Sequence, residues 1–242
     1  SNTVRRALAR RDSRGRLVTF LRGIGEVLGH DRETDGVLGE LAESHALQTR
    51  LRAALESPAL STDAADSQSG GGAATGDFLE SLAAAIESRE SHRAGHARRV
   101  AFLAGLIGER LGLSAERREA ARVASFLHDL GRVAVPPRIA GQADACDVAL
   151  HASKGADLVR PLGFSDDVAE AIRHHHERWD GRGGPDGLAG DSIPLASRII
   201  AVADAFDRLT HDEPGREAHS PARAVAALRD QAGRELDPDV LK

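Results

Sequence analysis

The sequence predicts an all-α fold with a loop-rich centre. Apolar residues recur at spacings of three and four along most of the chain, the period of one helix face. No segment shows the strict alternation of a half-buried strand. Gly and Pro are instead concentrated in a few short stretches that divide the periodic segments, as loops between helices do.

Residues 3–57 read as helical, with Leu17, Phe20, Leu21, Ile24, Val27 and Leu28 on one face and Val37, Leu38, Leu41, Leu47, Leu51 and Leu55 on another. Gly29-His30-Asp31 breaks the two and Pro58 ends the second. Residues 58–76, rich in Ser and Gly and without apolar period, form a linker, so the clearest domain boundary lies there. From Asp77 onward helices are expected at about 77–91, 94–111 and 114–130. Ser114 caps the third of these, and Gly112 closes the second. Further helices are expected at about 144–161, 166–178, 194–210 and 221–232, and the Gly- and Pro-dense stretch 180–190 is a shaped loop.

The chain has 242 residues, 41% of them apolar and 29% charged, ordinary for a globular protein. Its net charge of −5 does not favour nucleic acid. No apolar run approaches the roughly 18 residues of a membrane span, and no charged-then-apolar leader opens the chain. A cytoplasmic protein with no membrane partner is therefore expected. Cys146 stands alone, which excludes an internal disulfide framework and a thiolate metal cluster.

Eleven histidines are many for this length, and their placement matters more than their number. His128-Asp129 ends one expected helix, and His174-His175-His176 ends another. His96 and His151 fall early on helices of their own, and Asp204 sits inside an apolar helix among Ile199, Ile200, Val202, Ala203 and Phe206. A carboxylate there is costly to bury without a partner or a metal. Adjacent helical residues point about 100° apart, so a paired His-Asp or His-His can serve two neighbouring ions. Imidazole and carboxylate without thiol suit iron, manganese, zinc or nickel. His30, His45, His211 and His219 read as surface groups.

The strings Phe126-Leu127-His128-Asp129-Leu130-Gly131-Arg132, His175-His176-Glu177-Arg178-Trp179-Asp180-Gly181-Arg182-Gly183-Gly184-Pro185 and Arg198-Ile199-Ile200-Ala201-Val202-Ala203-Asp204-Ala205-Phe206-Asp207 resemble those of the HD-GYP subgroup of HD-domain phosphohydrolases. The resemblance covers about residues 77–242 and leaves the N-terminal helices outside. It implies an HD-domain helical bundle with an N-terminal helical extension, holding two divalent metals, iron or manganese, and hydrolysing cyclic di-GMP or a related cyclic dinucleotide in bacterial signalling. The implied metal ligands are His96, His128, Asp129, His151, His175, His176 and Asp204, with Asp129 bridging. Where some members place a glutamate for a third metal this chain has His92, an optional extra ligand. A pair of metals about 3.5–4 Å apart lowers the pKa of bound water and clamps the oxygens of an in-line displacement. Asp129 and Arg132 are the implied catalytic residues, and Arg132, Lys154, Gly184 and Arg216 the implied substrate contacts.

The chain departs from the pattern at its substrate end. Gly183-Gly184-Pro185 lacks the tyrosine of the signature, and Glu213-Pro214-Gly215-Arg216 carries a glutamate where the family has an anion-binding arginine. The stretch from Val135 to His151 is shorter than usual. The metal machinery is whole while the substrate grip is altered, which leaves two expectations. One is a phosphodiesterase; the other is a catalytically silent module that binds metal and nucleotide as a regulator. The N-terminal helices are expected to form a signalling stalk, through which a homodimer could assemble.

Overall fold

The computed structural model describes residues 93–135, 145–160 and 164–242, together with Leu79, Ala83 and Glu87. The N-terminal segment 1–57, the linker 58–76, His92 and most of the helix expected from Asp77 lie outside the described residues. Six α-helices are described: α1 His96–Arg110, α2 Ala115–Leu127, α3 Ala145–Val159, α4 Asp166–Arg173, α5 Leu195–Thr210 and α6 Pro221–Asp230. A 3₁₀ turn, Leu130–Ala134, follows α2, and a second, Gly190–Ser192, precedes α5. Among the described residues β-pairing is limited to isolated bridges, Glu213 with Arg216 and Ala232 with Leu236. The fold is all-α, as the periodicity predicts.

Local chemistry sets the helix ends. The Ser114 hydroxyl accepts from the Arg117 amide to cap α2, and Ser220 does the same for α6 through Arg223, with Pro221 at the first helical position where its missing N–H costs nothing. Glu87 caps α1 from a distance, its carboxylate accepting from the amides of Gly95 and Ala97 at 2.6 Å each. Two helices stop earlier than their periodicity suggests. α2 ends at Leu127 rather than near 130, and α4 ends at Arg173 rather than near 178. His128-Asp129 and His174–His176 therefore stand on turns just past helix ends.

The core joins α1, α2 and α5, with α4 and α3 behind them. Val100, Leu127, Leu130, Leu158, Ile172, Ile199 and Ile200 are fully buried in it, each contributing about 1.5–3 kcal/mol. α3 lies directly on the 3₁₀ turn. The contact is close because two glycines meet: a Cβ built on Gly131 would fall 1.9 Å from the His151 carbonyl oxygen and 2.5 Å from the Gly155 nitrogen. That approach draws His151 to the end of α2.

The C-terminal segment belongs to the same body. Trp179 and Asp180 donate their amides to the carbonyls of Glu235 and Arg234, at 3.1 and 2.8 Å. Arg178 pairs with Glu235, and Arg198 with the buried Asp237. These contacts fasten the 180–190 loop at its root.

Candidate metal centre

Five imidazoles and two carboxylates converge where α1, the end of α2, α3, the end of α4 and α5 meet. Their rings form a continuous chain, with centroids 5.3 Å apart for His96–His128, 5.2 Å for His128–His175, 4.0 Å for His175–His176 and 4.8 Å for His151–His176. Two groups stand out, each with one ligand atom per residue within 4.8 Å of the others: His96, His128 and Asp129, and His151, His175 and His176. Asp129 faces both. Its Oδ2 lies 3.9 Å from His96 Nε2 and 3.5 Å from His128 Nε2, while its Oδ1 lies 3.4 Å from His151 Nε2. Asp204 Oδ1 stands 3.2 Å from His96 Nε2. All seven residues expected as ligands are thus brought together.

The rings are aimed from behind. His128 Nδ1 donates to the Ser125 carbonyl at 2.7 Å, and His175 Nδ1 to the Ile172 carbonyl at 2.6 Å. A nitrogen that donates to a carbonyl carries the proton, so in the neutral ring Nε2 presents its lone pair to the centre. His96 Nδ1 is held by Asp207 Oδ2 at 2.7 Å, the kind of carboxylate backing that orients a histidine for metal binding. Asp207 is 2% exposed and is fixed in turn by Arg99, whose Nε and guanidinium donate at 2.6 and 3.0 Å. Asp207 was not singled out by sequence reasoning, though it stands one turn after Asp204 in the quoted motif; that spacing is the signal that could have found it.

The donor set fits a divalent cation. Among the described residues His96 Nε2, His175 Nε2 and Asp204 Oδ1 are buried with no hydrogen-bond partner, and the two Nε2 atoms of His151 and His176 face each other at 3.0 Å. Orphaned buried polar atoms need compensation, and cations held between these groups would supply it. The protonation states agree for every group but His96. Burial pushes His128 down and His175 well down, and burial with the neighbouring His151 takes His176 to about 3. For Asp129 burial is outweighed by His128, Arg132, Arg93 and His151, and for Asp204 by His96, so both carboxyls lie well below the carboxylate range. Burial lowers His96, but Asp204 and Asp207 overcome it and raise the ring to about 9.

The expected substrate contacts divide. Arg132 is at the centre, its Nε donating to Asp129 Oδ1 at 2.8 Å, and Arg93 donates to Asp129 Oδ2. Lys154 follows His151 by one turn of α3 and is half-buried. Gly184 packs over α3, where a Cβ would meet Ala149 at 3.3 Å. Arg216 is turned away onto the end of α5, donating to the carbonyls of Leu209, Arg208 and His211. His211, read as a surface group, is half-exposed with its ring on the Asp207 carbonyl at 2.9 Å.

A helical body that gathers five histidines and two aspartates into one candidate metal site defines the class, and comparison with known proteins agrees. The family model described as "HD domain" matches residues 80–240. The chain belongs to the HD-domain family, and the curated proteins it matches are of the HD-GYP kind. It is 39% identical over 170 residues to the cyclic di-GMP phosphodiesterase response regulator RpfG of Xanthomonas campestris pv. campestris, covering 67% of this chain and 45% of that protein. It is 31% identical over 177 residues to 3'3'-cGAMP-specific phosphodiesterase 2 of Vibrio cholerae, covering 69% of this chain and 33% of that one. The chain thus spans less than half the length of these relatives. Among solved structures it superposes on a cyclic GMP-AMP specific phosphodiesterase of V. cholerae, V-cGAP3, with a TM-score of 0.58 at 24% identity, covering 68% of this chain and 46% of that one. The HD-GYP-type protein Bd1817 of Bdellovibrio bacteriovorus matches with 0.52 at 19% identity, covering 82% and 78%; both likenesses are of fold. No helix among the described residues is long and apolar enough to cross a membrane.

Proposed function

We propose that this chain is a metal-dependent phosphodiesterase acting on cyclic di-GMP at a two-metal site, with iron or manganese as the metal. The observation that carries the reading is the Asp129 carboxylate, whose two oxygens face separate histidine groups across 3.4–3.9 Å. When bound, a pair of divalent cations supplies the Lewis acidity and the acidified water that phosphodiester hydrolysis needs at neutral pH. His96, His128 and Asp204 would hold one, and His151, His175 and His176 the other, with Asp129 between them. Arg132 and Arg93 steady the Asp129 carboxylate and place two guanidiniums where an incoming phosphate arrives. The chain's likeness to named cyclic di-GMP and cGAMP phosphodiesterases supports the substrate class.

Protein reconstituted with manganese or iron should convert cyclic di-GMP to pGpG or GMP. His128→Ala and Asp129→Ala should each abolish turnover. Unchanged activity in either variant refutes the assignment. A silent regulatory module is the second reading, favoured by the Glu213 carboxylate on the wall of the cleft beside His96. Tight binding of cyclic di-GMP with no product over hours in metal-replete protein would select it.

A further inference from the structure

The histidine run has a member that the metal centre does not use. His175 and His176 face that centre, whereas His174 meets Glu177 and Asp186, and one ligand atom from each of these three lies within 4.8 Å of the others. His174 and Glu177 are buried, at 5% and 4% exposure, and Asp186 reaches the surface. The groups arrive from two directions. His174 and Glu177 come from the turn that follows α4, and Asp186 comes from the 180–190 loop, directly after Pro185.

Each donor is oriented by its neighbours. His174 Nδ1 donates to the Glu170 carbonyl at 3.0 Å, so Nε2 of the neutral ring presents its lone pair, 2.9 Å from Asp186 Oδ2. Arg173 holds the Asp186 carboxylate with two donors, Nε to Oδ2 at 2.7 Å and a terminal nitrogen to Oδ1 at 2.8 Å. Glu177 Oε1 accepts the Asp186 amide at 2.7 Å. Glu177 Oε2 is the unmet group: among the described residues it is buried with no hydrogen-bond partner. A bare carboxylate oxygen inside a protein is costly. A proton between His174 and Asp186 would account for their contact and do nothing for Glu177; a cation held by all three accounts for both.

We propose that His174, Glu177 and Asp186 form an accessory divalent-cation site, separate from the metal centre, whose imidazole and two carboxylates suit zinc. Three protein ligands with a water in the fourth position is a common zinc arrangement. The ion sits between His174 Nε2 and Asp186 Oδ2, engages Glu177 Oε2, and leaves Arg173 on Asp186 Oδ1. Bound there, it fastens the loop carrying Gly184 and Pro185 to the end of α4. The site stands apart from the phosphodiesterase reading, since none of its residues belongs to the proposed metal ligands or substrate contacts.

Zinc content after equilibrium dialysis, and zinc affinity by competition with a chromophoric chelator, test the point in the full chain and in a His128→Ala/His151→Ala background that weakens both halves of the metal centre. Glu177→Gln keeps the acceptor for the Asp186 amide and removes the charge of the bare oxygen. In either background it should lower the zinc content by one ion, or weaken that ion's binding at least about tenfold. Asp186→Asn, a change at the surface that the fold tolerates, should do the same and decides the matter if Glu177→Gln lowers the melting temperature. Zinc content and affinity equal to the parent's in Asp186→Asn overturn the proposal. A chain that binds zinc only at this site, and loses it in these variants, refutes the two-metal centre while the accessory site stands.

Discussion

Replacing Gly131 by alanine should loosen the metal centre without touching a ligand. The new carbon would sit 1.9 Å from the His151 carbonyl oxygen, about 1.4 Å short of the roughly 3.3 Å of an ordinary C···O contact. The obstructing atoms are backbone, in the first turns of α3 and in Gly155, so no side chain can swing aside. α3 must move back from the 3₁₀ turn, and His151 moves with it, away from Asp129 Oδ1 at 3.4 Å. Overpacking of this kind costs about 1–3 kcal/mol, or a melting temperature lower by roughly 3–10 °C for a domain of this size. Displacing one ligand by an ångström should also lower metal affinity by at least about tenfold, the scale seen when a ligand loses its orienting partner. Thermal unfolding with and without manganese, together with elemental analysis, reads both effects. Gly105, where an added Cβ meets nothing within 4 Å, is the control: alanine there should be neutral or stabilising by up to about 1 kcal/mol. A Gly131→Ala protein with the parent's melting temperature and metal content would refute the close-approach reasoning.

Three other outcomes follow from the geometry. Asp207→Asn should weaken metal binding by roughly 10–100-fold, measured by competition with a chromophoric chelator, because His96 loses the carboxylate that aims it; affinity equal to the parent's would deny Asp207 that part. Stripping metal with a chelator should lower stability by about 2.7 kcal/mol relative to protein held at 100 times the metal's Kd, and calorimetric scans that coincide would contradict a structural cation centre. The Arg173 guanidinium, against burial and with help from His174, holds Asp186 at about 2 instead of 3.8. A carboxylate depressed in the folded state contributes stability that is complete above 3.8 and lost as pH falls through about 2. Asp186→Asn should therefore flatten the acid limb of the stability curve between those values, and an unchanged limb would show the pair to be inert.

Five of the seven proposed ligands were legible in local strings, the His128-Asp129 pair, His175 and His176 of a histidine run and Asp204 in an apolar helix, whereas His96 and His151 came from the family resemblance. Helix identities were legible for the same reason, since periodicity is local. Helix ends were less so. α4 keeps its apolar pattern up to Ile172, but nothing in that pattern says that His174–His176 leave the helix. Contacts between distant segments were hidden altogether. Asp207 reaches His96 across 111 positions, and Gly131 owes its lack of a side chain to the backbone of His151 and Gly155. The sequence marks Glu213 as unusual, and only the fold shows that it holds Arg208. Arg216 was expected at the substrate because of its place in a motif, yet its guanidinium spans the carbonyls of Leu209, Arg208 and His211.

The clasp between the 180–190 loop and the C-terminal segment has a bearing on how this domain can be cut and joined. Trp179 and Asp180 are tied to Glu235 and Arg234, and Arg198 is locked on Asp237. An excised fragment or a fusion whose junction falls before Asp237 would keep every histidine and aspartate of the centre and still lose the brace that steadies the strand of chain running on from His176. Sensors or chimeras built from this scaffold should therefore place their seams beyond Val240, which is itself buried.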